Sequence, residues 1–282
     1  MTPMFRFMLA PLERYSDSVF RTLCYNHGAD LTFTEMAHVE SFLNRNRISL
    51  NKIKPRDSTP VQIQLLSGNE GKLGRFLTNF KPFNGFMGFN LNLCCPSKEV
   101  IRKGKGAAMI KRGAKTAKLV AVIRGHNYPV SVKIRLGLNQ SEKKKKLYLN
   151  SLKGVDPDFF VVHAMHAAQN SNEKEDYSVY PECVEAARGI PVIANGGIET
   201  PETVKSLMDM GVGGVMMGRP ALVDPAMFDV MKNSLGFNDP VKQIPNAEDM
   251  KQEYSEIYSR IKGSENYRSQ FLRVMGKTLS RS

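Results

Sequence analysis

The chain has 282 residues, carries 40 lysines and arginines against 27 aspartates and glutamates, and is 41% hydrophobic. That balance excludes a disordered chain and suits one large domain, or a barrel with a small appendage. No apolar run reaches the roughly 20 residues of a membrane-crossing helix, the first residues lack the pattern of a secretory signal, and four cysteines in so long a chain are not a disulfide framework; a cytoplasmic protein is expected. The net charge of +13 is what a polyanionic partner such as nucleic acid would select, and equally what solubility in a basic proteome would give.

Strand-like apolar runs alternate with helical patterns. The strand candidates are 6–11, 31–36, 61–66, 85–93, 130–136, 158–164, 191–197 and 213–219. Between them lie amphipathic segments such as "SDSVFRTLCYNHG", "AKTAKLVAVIRGH" and "TPETVKSLMDMG". The last has a helix start in Thr200, Pro201 and Glu202 and a stop in Gly211. Several strands are near-continuous apolar runs, as in a parallel sheet covered on both faces. Eight strand–helix units predict an α/β (β/α)8 TIM barrel over residues 1–235. A doubly wound sheet is the alternative, but no GxGxxG follows the first strand. After residue 235 a linker leads into two helical stretches broken near Gly263, a small C-terminal appendage over 236–282 whose tail carries Arg268, Arg273, Lys277 and Arg281.

In such a barrel the reactive groups lie at the C-terminal strand ends. Six strands place a polar residue there: Gln64, Asn92, Lys133 with Arg135, His163, Asn195, and Gly218 with Arg219. Lys133 and Arg135 share one strand face. Taken alone, Lys133 could be an ion-paired barrel lysine and His163 a satisfied core histidine. "ANGGI" and "MMGRP" offer backbone N–H groups for a phosphate after the last two strands, or simply turn tight loops. Cys24 and Cys183 sit in helical patterns as small buried apolar residues. No CxxC pair occurs, and no metal site is expected. Cys94 and Cys95 stand side by side where the fourth strand ends, a placement also open to a vicinal disulfide.

The ordered set of motifs resembles the dihydrouridine synthases, FMN enzymes that reduce uridines in transfer RNA. "APLERYSDSVFR" (10–21), "QLLSG" (64–68), "NLCCP" (92–96), "VKIRLG" (132–137), "VHAMHAAQ" (162–169), "IPVIANGGI" (190–198) and "GVMMGRPAL" (214–222) follow in family order over roughly 10–230. The resemblance implies Cys95 as the acid that protonates C5 of the uracil, a task suited to a thiol that stays protonated at neutral pH. It implies Ala10, Pro11 and Gln64 at the flavin ring, Lys133 beside the ring's N1–C2=O edge, His163 at flavin or phosphate, and Asn195, Gly197, Gly218 and Arg219 at the FMN phosphate. Asn92 and Arg135 would meet the uracil. NADPH or NADH would be the reductant and tRNA the partner, with a monomer expected. Three positions depart from the pattern: Cys94 stands for a glycine, Met165 for a frequent arginine, and Leu12 for a methionine. An FMN-dependent reductase of small molecules and a non-catalytic RNA-binding barrel are the competing readings. The basic stretches 44–57, 102–106 and 141–150 and the tail offer cations for RNA, although Lys143 to Lys146 suit a solvated helix face equally well.

Overall fold

The computed structural model describes residues 4–54, 56–170 and 172–275. Nine parallel strands form it: β1 (Arg6–Leu9), β2 (Thr32–Phe33), β3 (Ala37–His38), β4 (Val61–Leu66), β5 (Phe86–Leu93), β6 (Val130–Arg135), β7 (Phe160–His163), β8 (Val192–Asn195) and β9 (Gly214–Met217). The order runs β1-β9-β8-β7-β6-β5-β4-β2. The ring closes where Met8 pairs with Leu31 and the Leu9 N–H donates to Leu31 O at 2.9 Å. This is a (β/α)8 barrel, as the alternation predicts.

The second stave differs from its sequence reading. The run 31–36 is not one strand; β2 and β3 both pair with β4 and are separated by Thr34–Met36. The reason is local. Thr34 Oγ1 accepts the Gln64 N–H at 3.0 Å, so a side chain takes the place of a ladder bond.

Side chains alternate along each stave, and the two faces differ in chemistry. Outward residues such as Leu65, Leu91, Val132, Ile134 and Val162 join the large core between strands and helices. Inward, Met8, Leu31, Phe33, Phe159, Val161, Ile193 and Met216 form a small apolar cluster. The other half of the interior is polar. Gln62, Ser131, Asn90, Gln64 and Asn92 run as one hydrogen-bonded ladder across β4–β6, with Asn90 Nδ2 to Ser131 Oγ at 2.7 Å and Gln64 Nε2 to Asn90 Oδ1 at 2.8 Å. Each buried amide is satisfied by the next, which is what makes burial tolerable.

Two further helices, Ala247–Ile261 and Glu265–Val274, break at Lys262, which takes φ 52° ahead of Gly263. They pack against helix Ser18–Asn26. Phe271 lies 5.1 Å from Phe20 and 4.5 Å from Tyr254, ring centre to ring centre. Among the described residues no helix is long and apolar enough to cross a membrane. Lys277 and Arg281 lie outside the described residues.

Candidate active site

A cavity of about 490 Å³ opens at the C-terminal end of the barrel. The residues that the resemblance assigns to proton transfer, flavin, phosphate and uracil lie on its wall: Ala10 and Pro11 beyond β1, Gln64 in β4, Asn92 and Cys95 at the end of β5, Lys133 and Arg135 in β6, His163 in β7, Asn195 and Gly197 at β8, and Gly218 and Arg219 after β9. The volume is in the range of small-molecule and cofactor sites.

The polar ladder ends at the cysteine loop. Asn92 Nδ2 donates to Gln64 Oε1 at 2.8 Å, which orients the amide. Its oxygen then accepts the backbone N–H groups of Cys94 at 2.9 Å and Cys95 at 2.8 Å. Arg135 Nε holds the Cys94 carbonyl at 2.9 Å. The glycines of the loop serve close approach: Gly106 takes φ 56°, and a Cβ there would come within 2.8 Å of the Cys95 carbonyl oxygen.

The two thiols have different surroundings. Cys94 is buried, with Sγ 3.4 Å from Lys133 Nζ and 4.0 Å from His163 Nδ1. Burial alone would push this thiol up, but the Lys133 and Arg135 charges outweigh it and hold it below the ordinary thiol value. Cys95 is half-buried on the cavity wall, and burial moves it the other way, above the ordinary value. Burial also lowers Lys133. His163 falls well below the usual imidazole range, through burial and then the charges of Lys133, Arg135 and Arg219, so it is neutral at physiological pH.

At the opposite wall, Lys133 Nζ donates to Asn195 Oδ1 at 2.6 Å and Asn195 Nδ2 donates to Met216 O at 2.8 Å. Gly196 and Gly197 follow with φ 109° and 57°. Their identity is set by packing as well as by conformation. A Cβ on Gly196 would lie 2.7 Å from His163 Cδ2, and one on Gly197 would lie 2.3 Å from Glu175 Oε2.

The family of the chain is settled by comparison. A family model described as dihydrouridine synthase matches residues 8–279. The chain belongs to the dihydrouridine synthase family. Members are oxidoreductases acting on CH–CH bonds, and this one is an enzyme of that class. The tRNA-dihydrouridine synthase B of Pseudomonas putida is 28% identical over 246 residues, covering 86% of this chain and 72% of that protein. The protein of the same name from Vibrio cholerae is 27% identical over 244 residues, covering 86% and 75%. A human protein named tRNA-dihydrouridine(47) synthase [NAD(P)(+)]-like is 29% identical over 232 residues, covering 79% of this chain and 35% of its own. Among solved structures, a variant of NCR from Zymomonas mobilis superposes with a TM-score of 0.51 at 13% identity, covering 89% of this chain and 94% of that one, which supports the barrel fold alone.

Within this family member, Met165 is 2% exposed and does not line the cavity. The sequence reading missed Glu13, Met36, His38 and Lys52, which also line the mouth. Lys52 belongs to the basic stretch 44–57, yet it turns inward and pairs with Glu13 and, at 3.2 Å, with Glu35. Met36 and His38 come from the broken second stave, whose end the continuous-strand reading misplaced. The lysine run 143–146 is partly spoken for, with Lys143 paired to Asp176 at 2.7 Å and Lys146 to Glu182. Cys24 and Cys183 are buried, as expected of small apolar residues.

Proposed function

We propose that this enzyme is a flavin-dependent tRNA-dihydrouridine synthase that reduces the C5=C6 bond of uridines in tRNA. The observation that carries the reading is the pairing, across one cavity, of a half-exposed protonated thiol at Cys95 with a cationic wall made by buried Lys133 and half-buried Arg135. The names of the bacterial and human relatives support tRNA as substrate, and the human name supports NAD(P) as the nicotinamide partner.

The cavity fits flavin mononucleotide. Ala10 and Met216 give an apolar face, Gln64 and Asn92 give amide donors and acceptors, and Lys133 gives a cation. Gly196–Gly197 and Gly218–Arg219, at the ends of the adjacent strands β8 and β9, give the glycine backbone and cation suited to the phosphate. FMN held by these residues would supply the hydride for uracil C6, with NADPH or NADH as the source of its electrons.

The remaining work falls to the chain. Cys95 stays protonated at neutral pH because burial raises its thiol, and it gives that proton to C5. Arg135, held by the Cys94 and His166 carbonyls, and Asn92 are placed to meet the uracil oxygens as charge develops on them. His163, kept neutral, adds no competing acid. A uridine in folded RNA must leave its stack to reach this depth. Arg102 and Lys103, exposed beside the cysteine loop, and Arg273 on the last helix are suited to its phosphates; the C-terminal helices serve as the RNA-binding appendage. With tRNA as substrate, the site of action is the cytoplasm.

The test is dihydrouridine formation in an unmodified tRNA transcript with NADPH. The purified protein should be yellow with bound FMN. Cys95→Ala should keep the flavin and lose about 10²–10⁴-fold in rate, the contribution of a positioned general acid. Full activity in Cys95→Ala would refute the assignment.

A further inference from the structure

Lys133 is 6% exposed, and a buried ammonium is costly unless an anion or equivalent acceptors face it. Its nitrogen donates to two groups, Asn195 Oδ1 at 2.6 Å and Cys94 Sγ at 3.4 Å. The asparagine is neutral, and its other amide atom is committed to Met216 O. The titratable groups facing Cys94 from the elements around it are Lys133 and Arg135 on β6, His163 on β7 and Cys95 in its own loop. Two of these are cations, and an imidazole cannot supply an anion here. Cys95 lies further along the loop and faces the cavity. Of the groups hydrogen-bonded to Lys133 among the described residues, Cys94 alone can carry negative charge.

We infer that Cys94 is the buried counter-ion of Lys133, the two side chains standing as thiolate and ammonium. Both the ion pair and the lowered thiol follow from the same placement, a sulfur set between a lysine and an arginine whose charges outweigh the burial that favours the neutral form. Two consequences follow. A thiolate has no proton to give, so Cys95 is the only thiol of the doublet that can protonate carbon. And the lysine is kept charged in a buried site before any ligand arrives, so the cationic wall is preformed. The second consequence deepens the flavin reading above; the ion pair itself does not depend on it.

The test is carbon-13 NMR of the full chain labelled at the cysteine β-carbons, which gives one signal for each of the four cysteines. Burial raises Cys24, Cys95 and Cys183, so at pH 7.5 three signals should sit at the thiol position and one at the thiolate position. Cys94→Ser should remove that one. Lys133→Met should return it to the thiol position and raise its titration midpoint by about one pH unit or more, a tenfold change in ionisation. Reciprocally, Cys94→Ala should lower the titration midpoint of Lys133, read at its labelled ε-carbon. Four thiol signals in the wild-type chain at pH 7.5, or a thiolate signal that survives Cys94→Ser, would overturn the inference. The measurement needs neither flavin nor tRNA, so its failure is distinct from failure of the dihydrouridine assay.

Discussion

Two buried polar regions of the molecule carry charge in different ways. At the floor of the barrel mouth, Lys133 and Arg135 stand on one strand face, and the only anion they meet through the contacts described is a cysteine sulfur. Beneath the C-terminal helices, charges of both signs are interleaved. Glu35 accepts from Tyr267 Oη at 2.8 Å, pairs with Lys52 at 3.2 Å and accepts the Arg14 N–H. Asp17 caps helix Ser18–Asn26 by accepting the Phe20 N–H at 3.0 Å, and Arg21 is set among Asp17, Asp57 and Glu35. Arg56 donates to the Lys262 carbonyl at 2.6 Å. The second region is a joint, where each charge meets its opposite and the result is attachment. The first is a site, where cations are held in excess for something that arrives later.

The distinction predicts that substitutions in the two regions differ in what they cost: stability at the joint, activity at the site. The largest expected loss is at the joint. Glu35 is 2% exposed, and Glu35→Ala strands Tyr267 and the Arg14 N–H and leaves Lys52 with Glu13 alone. Removing one partner of such a buried network costs about 3–5 kcal/mol, readable as a fall in the denaturant midpoint. A loss below about 1 kcal/mol would mean that the helices are held by other contacts, such as the Phe271–Phe20 packing and the Arg56 bond to the Lys262 carbonyl.

The next effect depends on pH. Burial, ahead of the opposing Phe20 hydrogen bond and Arg21 charge, pushes the Asp17 carboxyl from 3.8 up to about 6. The folded chain therefore holds this proton more tightly than the unfolded chain. The associated stability is fully present below about 3.8 and is lost as pH rises through about 6. Asp17→Asn keeps the cap and removes the ionisation. It should match the wild type near pH 4 and exceed it by about 2 kcal/mol at pH 7.5, measured as unfolding free energies at the two pH values. Equal stabilities at pH 7.5 would place Asp17 in ordinary surface conditions.

At the mouth the cost is smaller and activity is what is lost. Lys133→Met removes one partner of the proposed pair, but Cys94 can take up a proton once the lysine is gone, so no uncompensated charge stays buried. The expected change in unfolding free energy is within about 1 kcal/mol, together with loss of dihydrouridine formation. A loss of about 3–5 kcal/mol, like that of Glu35→Ala, would show that the lysine belongs to the scaffold, and the contrast between the regions would fall.

The same contrast explains what the sequence could convey. The mouth was legible because barrel geometry brings strand ends together whatever lies between them. Gln64, Asn92, Lys133, His163 and Asn195 each lie in the C-terminal half of a strand that can be recognised from its own apolar run. The joint was not legible, since Tyr267 and Glu35 are 232 residues apart and no local pattern connects them. Lys52 was hidden for a related reason: in sequence it is one cation in a basic stretch, and only Glu13 and Glu35, brought in by other loops, turn it inward. The split of the second stave turned on a single hydroxyl, Thr34 Oγ1, which hydropathy does not weigh. The opposite shifts of Cys94 and Cys95 were invisible too, because neighbours in sequence face different neighbours in space.

The smallest expected effect separates the surface cations by what already occupies them. Lys144 and Lys145 are exposed, between two lysines that are paired to Asp176 and Glu182. Solvated charges of this kind contribute little to stability, so Lys144→Ala with Lys145→Ala should change unfolding free energy by less than about 0.5 kcal/mol. The informative reading is the salt dependence of tRNA binding. A lysine that neutralises a phosphate contributes roughly one unit to the slope of log affinity against log salt. The double variant should leave that slope unchanged. Arg102→Ala, next to the cysteine loop at the cavity mouth, should lower it by about one. The reverse result would move the RNA track away from the cysteine loop and onto the face of the lysine run.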